Sequence, residues 1–126
     1  MKVVKNELVF PVDVDDTLII YDGPNAVLKD GLVTCPYLGT EVKFRKHEPH
    51  IQLLKEKKIR GHFIIVWSAG GHDWAKAVIE ALDISEYVDL VLTKPKAYLD
   101  DKTAEEWMTE RIYLSPDSAW KKGVQL

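Results

Sequence analysis

An α/β fold, a Rossmann-like three-layer sandwich around a central parallel sheet, is what the sequence predicts from three features. Short apolar runs rich in Val, Ile, Leu and Phe are interleaved with segments of helical periodicity. The runs lack clean apolar/polar alternation, which suits strands buried on both faces of a parallel sheet. Their order is strand, long excursion, helix, strand, helix, strand, strand, helix, the order of crossover units whose helices cover a parallel sheet.

Four strands are expected, at residues 7–14 (ELVFPVDV), 62–67 (HFIIVW), 88–92 (VDLVL) and 97–99 (AYL). Pro11 lies inside the first, where it removes a ladder hydrogen bond and either counts against that strand or implies a local bulge. Helices are expected at 49–58, 73–82 and 103–111. The first has Pro49 in its opening turn, Ile51 and Leu54 on one face and Gly61 just beyond its end. The second places Trp74, Ala77, Val78 and Ala81 on one face. In the third, Thr103 and Glu106 stand at capping-box spacing. Residues 19–48 are rich in Gly, Pro, Asp and Asn and are expected to form a hairpin, flap or minimal cap. The tail after Ser115 carries no clear pattern.

One domain is expected across residues 1–126, long enough to bury a core without disulfides. Cys35 is the only cysteine, which fits a reducing compartment. No run approaches the ~18 apolar residues of a membrane span, and no secretory leader is visible. The expectation is a soluble, cytoplasmic protein with no membrane partner. The net charge of −3 does not suggest a nucleic-acid binder, but Lys43, Arg45, Lys46, Lys55, Lys57, Lys58 and Arg60 cluster within eighteen residues. That stretch reads either as solvated helix and loop surface or as a basic rim that attracts a phosphorylated substrate.

In such sheets ligands bind beyond the carboxyl ends of the strands. The first strand ends in Asp13, Asp15 and Asp16, three carboxylates in four residues. Their mutual repulsion and partial desolvation call for a hard divalent cation, and Mg²⁺ is the usual one beside phosphates. Asp13 and Asp15 share one side of an extended chain. One is placed to attack phosphorus, the other to protonate the leaving oxygen and later activate water. The second strand runs into Ser68, Ala69, Gly70 and Gly71, a hydroxyl and backbone N–H groups at a helix start that suit an anion. The third ends in Thr93 and Lys94, a cation able to neutralise phosphate. The fourth ends in Asp100 and Asp101. Each pattern alone is weak; their succession at consecutive strand ends is specific.

Together these residues resemble the haloacid dehalogenase-like phosphohydrolase superfamily. DVDDTL looks like its first motif, ordinarily Asp-x-Asp-Gly-Thr-Leu, VWSAGG the second, LTKP the third and YLDD the fourth. The resemblance spans about residues 7–110, and the close spacing of the last two motifs is similar to that of the short, nearly capless phosphatases. It implies a five-stranded parallel core and a Mg²⁺-dependent phosphatase working through an aspartyl-phosphate. Asp13 would be the nucleophile, Asp15 the general acid and base, and Lys94 the charge-offsetting cation. Thr17, Ser68 and Ala69 would contact the phosphoryl group, and Asp13, Asp15, Asp100 and Asp101 would form the metal set. A phosphorylated small molecule or nucleotide is the expected substrate, and the basic stretch at 43–60, by itself, points to a nucleotide or a nucleic-acid end. Asp16 stands where the motif has glycine, and Asp tolerates turn geometry better than most residues.

Other residues read more plainly. Trp74 and Tyr98 are expected to pack, His72 to be exposed, and His47 and His50 lack partners at zinc spacing. The alternative to an enzyme is a binding or receiver-like module on a similar fold. A receiver needs a phosphorylatable aspartate near mid-chain, and residues 31–72 contain no aspartate.

Overall fold

The β-branched residues at the start of the chain and around residue 65 form the neighbouring strands of one parallel sheet. The structure, a computed structural model, describes residues 8–21 and 30–108. Strand β1 (Val9–Asp13) pairs with β5 (Phe63–Ser68), which pairs with β6 (Leu90–Thr93), all parallel. Helix α1 (Glu48–Ile59) connects β1 to β5, and α2 (His72–Ala81) connects β5 to β6. This is the predicted Rossmann-like α/β arrangement in a small domain; among the described residues the sheet has three parallel strands and helices on one face, two layers where three were expected. Residues 97–99 form no strand: Tyr98 is 59 % exposed and Leu99 fully so, with no neighbouring strand among the described residues to satisfy their backbone.

Both crossovers step the same way across the sheet, so the right-handed rule puts α1 and α2 on the same face. Burial agrees. Along β5 the residues alternate half-buried and buried, with Ile64, Val66 and Ser68 inward. Ile64 and Val66 join Val12, Ile51, Leu54, Trp74, Ala75, Val78 and Ile79 in one core. The opposite face carries Pro11, Phe63, Ile65, Trp67 and Leu92, which are half-buried and outside that core. The buried stripe of α2 is Trp74, Ala75, Val78 and Ile79. Ala77 and Ala81, expected on that stripe, are half-buried at its border, and the Ala77 carbonyl accepts from the Cys35 thiol of the flap.

Pro11 needs no bulge. Leu8 O accepts from Phe63 N at 2.8 Å, so even-numbered residues of β1 turn their backbone toward β5 and odd-numbered ones away. Among the described residues β1 is an edge strand, and the nitrogen of Pro11 points to that open edge, where it loses no bond.

The flap expected at 19–48 is a second, antiparallel sheet in the order β2 (Ile19–Tyr21), β4 (Thr40–Lys46), β3 (Leu32–Tyr37). Ile19, Cys35 and Phe44 are its fully buried anchors, and β3 packs on α2. A turn of backbone joins the two sheets: Val14 O accepts from Thr17, Leu18 and Ile19. Asp16 sits in it at φ 62°, the left-handed conformation that glycine serves most easily and Asp tolerates.

The turn rests on the start of α1. His47 N donates to Leu18 O, and His50 Nδ1 lies 2.5 Å from Thr17 O. The His47 and His50 rings stack at 3.5 Å, both buried, and His50 Nε2 has no hydrogen-bond partner among the described residues. Burial pushes both imidazoles below their ordinary value, His47 down to about 4 with the His50 charge adding to the effect. Neutral His50 therefore donates from Nδ1 to the Thr17 carbonyl. After β6 the chain is exposed up to a short helix, α3 (Ala104–Trp107). The Thr103 side chain makes no capping bond, so the capping box does not form. Residues 109–111 of that predicted helix, the N-terminal residue of the first predicted strand and the tail after Ser115 lie outside the described residues. No described helix is long and apolar enough to cross a membrane.

Candidate functional site

The carboxyl ends of β1, β5 and β6 meet because the three strands are parallel and adjacent. Register sets the neighbours: Asp13 pairs with Trp67, and Ser68 with Thr93. One residue further on, Lys94 N donates to Ser68 O at 2.8 Å, and His72 N donates to Thr93 Oγ1 at 3.0 Å. These bonds tie the start of α2 and the Lys94 backbone to the end of β5.

Asp13 closes β1 with its side chain one-third exposed. The Thr17 hydroxyl donates to its Oδ2 at 3.4 Å, and Lys94 Nζ stands 3.8 Å from Oδ1. Loss of water around Asp13 pushes its carboxyl above the ordinary value. Lys94 and the Val14 N–H oppose that rise, Asp15 adds to it, and the Thr17 hydroxyl opposes it. The group is thus a partly desolvated anion with one nearby cation, accessible from solvent.

Asp15 is held from three elements. Tyr21 Oη of β2 donates to Oδ1 at 2.6 Å, and Trp74 Nε1 of α2 donates to the same oxygen at 3.2 Å. Ser68 Oγ of β5 donates to Oδ2 at 3.1 Å while accepting the Gly70 N–H at 3.0 Å. Gly70 permits this crowding. A Cβ there would stand 3.1 Å from Trp74 Cδ1 and 3.3 Å from Ser68 Oγ. Gly71, at φ 110°, turns the chain into α2. Trp74 is wedged between Tyr37, at 5.0 Å, and Phe44, edge-on at 6.2 Å.

Of the residues predicted from sequence, the fold gathers Asp13, Asp15, Thr17, Ser68 and Lys94. Ala69 lies exposed in the turn between β5 and α2. Ser68 is fully buried, and its hydroxyl is directed at Asp15. Asp100 and Asp101 are not brought to the cluster. Both are exposed, and Asp100 Oδ1 accepts from Lys102 N at 3.0 Å, a local turn. Among the described residues no three of His, Cys, Asp and Glu stand close enough to hold a metal ion. Mg²⁺ is often bound by one or two carboxylates, substrate phosphate and several waters. The desolvated Asp13 beside Asp15 suits that sparse form of binding and not an all-protein cage.

Sequence reasoning expected Trp74 to pack, and it does, but its indole N–H also serves Asp15. The indicator was available: Trp74 is the third residue of a helix that starts just beyond a strand end. Tyr21 and the His47–His50 stack had no local indicator, because both depend on how the flap and α1 meet the turn after β1. His72 is exposed and pairs with Asp73 at 2.9 Å, and Tyr98 is exposed with Trp107 edge-on at 6.2 Å. The basic stretch is spread over β4 and α1. Lys46 pairs with Glu48 and Lys58 with Asp89, while Lys55 and Lys57 lie over the Tyr87 and Phe10 rings. No protein-family model and no curated protein matches the chain.

Proposed function

We propose that this protein is a Mg²⁺-dependent phosphoric monoester hydrolase that forms an aspartyl-phosphate on Asp13. The observation that carries the reading is the juxtaposition of Asp13, partly desolvated and 3.8 Å from Lys94, with Asp15, a second carboxylate fixed by three donors. Two carboxylates with separate surroundings divide the labour of nucleophile and proton carrier.

Asp13 attacks phosphorus, forming a bond from its carboxylate oxygen as the bond to the ester oxygen breaks. Protonated Asp15 gives its proton to the departing alkoxide or phenoxide. Water then attacks the phosphoaspartate, the same carboxylate takes a proton from it, and Asp13 and inorganic phosphate are released. Lys94 offsets the charge that collects between Asp13 and the phosphoryl oxygens. Thr17 orients Asp13 through its hydroxyl. Mg²⁺, when bound, adds charge neutralisation and alignment of the phosphoryl group. Asp13 and the Asp15 backbone carbonyl would hold it, with Asp100 and Asp101 as outer partners proposed on the sequence pattern alone.

A phosphorylated small molecule, nucleotides included, is the substrate class we favour over a nucleic-acid end. Lys46 and Lys58 of the basic stretch already face carboxylates, which leaves less net charge for tracking a polynucleotide backbone. The decisive experiment is hydrolysis of p-nitrophenyl phosphate with Mg²⁺. Turnover that disappears in Asp13→Asn supports the proposal; a wild type as inert as that variant ends it.

A further inference from the structure

Tyr98 is expected from the sequence to pack, yet most of it faces solvent, and Trp107 beside it is 47 % exposed. The two rings are nevertheless fixed. Their planes cross at 81° with centroids 6.2 Å apart, the edge-to-face arrangement that aromatic pairs favour. The Tyr98 hydroxyl accepts from Ala104 N at 3.1 Å, which ties the far end of its ring to the start of α3. An edge contact covers at most one face of one ring, so each ring keeps a face open. Rings held this way have already lost rotamer freedom that binding a ligand would otherwise remove.

Their place in the chain indicates the ligand. Tyr98 follows Lys94 by four residues, so the two Cα atoms are at most ~14 Å apart. Lys94 is the cation set against Asp13, and its backbone N–H is tied to the end of β5. Lys96, also exposed, lies between Lys94 and Tyr98. The chain thus offers cations for a phosphate at one end and flat apolar faces at the other, the two chemistries a nucleotide combines. Every nucleobase has a π-face, and stacking on an aromatic side chain accepts any of them.

We propose that Tyr98 and Trp107 form a stacking platform for the base of a nucleoside monophosphate whose phosphate is held at Asp13 and Lys94. The inference rests on the hydrolase reading above and narrows its substrate class from phosphorylated small molecules to nucleotides. The pair binds the base and takes no part in phosphoryl transfer, so its removal is felt only by substrates that carry a base.

The test compares adenosine 5′-monophosphate with ribose 5-phosphate, which has the same primary phosphate and no base. Both are assayed with Mg²⁺ on the full chain. In Tyr98→Leu and in Trp107→Leu, kcat/KM for the nucleotide should fall about tenfold, within the range that stacking on one aromatic supplies, with ribose 5-phosphate unaffected. Tyr98→Phe keeps the ring and should keep most of the nucleotide activity. Both positions are exposed, so the core is untouched and the thermal midpoint should stay where it is. A base-selective loss in both Leu variants supports the proposal. Equal loss on the two esters, a loss confined to one Leu variant, no loss, or Tyr98→Phe falling as far as Tyr98→Leu overturns it and leaves the hydrolase reading standing. So does a wild type that hydrolyses p-nitrophenyl phosphate but not the nucleotide. A wild type inert toward all three esters overturns the hydrolase reading and this inference together.

Discussion

Asp15 and Asp100 both follow an apolar run in the sequence, and the fold treats them in opposite ways. Asp15 receives donors from β2, β5 and α2, at separations of 6, 53 and 59 residues. Asp100 receives one, from the N–H two residues on, and lies exposed. A carboxylate is fixed by what the rest of the chain brings to it. The ends of β1, β5 and β6 are held by a ladder, so their side chains converge. Residues 97–99 find no ladder among the described residues, and the acidic pair after them stays apart.

Mutations should reproduce this contrast. The largest effect is expected for Asp13→Asn, a loss of at least ~10³-fold in kcat with an unchanged thermal midpoint, because the nucleophile is removed from a partly exposed position. Lys94→Ala should cost about 10²-fold, read from steady-state hydrolysis of p-nitrophenyl phosphate. Near-normal activity would remove Lys94 from the site. Asp100→Asn tests the weak side of the comparison. Its proposed outer role predicts about a tenfold rise in the Mg²⁺ concentration for half-maximal turnover. Unchanged Mg²⁺ dependence would confine Asp100 to its own turn.

Two smaller effects concern the turn that carries Asp15. His47 and His50 are neutral in the fold and more basic once unfolded, so the unfolded chain binds more protons between about pH 6.5 and the lowered native values. Stability is fully present above that window and is lost as pH falls through it, by up to ~1.4 kcal/mol per pH unit for each ring. Urea unfolding at stepped pH checks the slope, and His47→Gln should flatten it. The smallest change is expected for Asp16→Gly. It relieves a φ of 62° at the cost of a freer unfolded chain, and should shift stability by no more than about 1 kcal/mol.

Much of the fold was legible because it rests on local pattern. Periodicity in 49–58 and 73–82 located α1 and α2 to within a residue or two, and the runs at 7–14, 62–67 and 88–92 located the parallel strands. The short run at 97–99 was misleading. Three apolar residues satisfy a composition rule, but a strand requires a partner. The bulge expected at Pro11 is absent for a reason local reasoning could not supply, since a missing N–H matters only when a neighbouring strand faces it.

The sequence by itself determined that Asp13, Asp15, Ser68 and Lys94 stand at or just beyond strand ends, since strand propensity and the polar residues closing each run are properties of a few adjacent positions. Only the tertiary structure decided which strand ends are adjacent, that Asp15 is clamped by a flap tyrosine and a helix tryptophan, and that two histidines stack beneath the turn. Those contacts join residues tens of positions apart. They exist because burying the faces of α1, α2 and the flap in one core brings their polar edges to the same place.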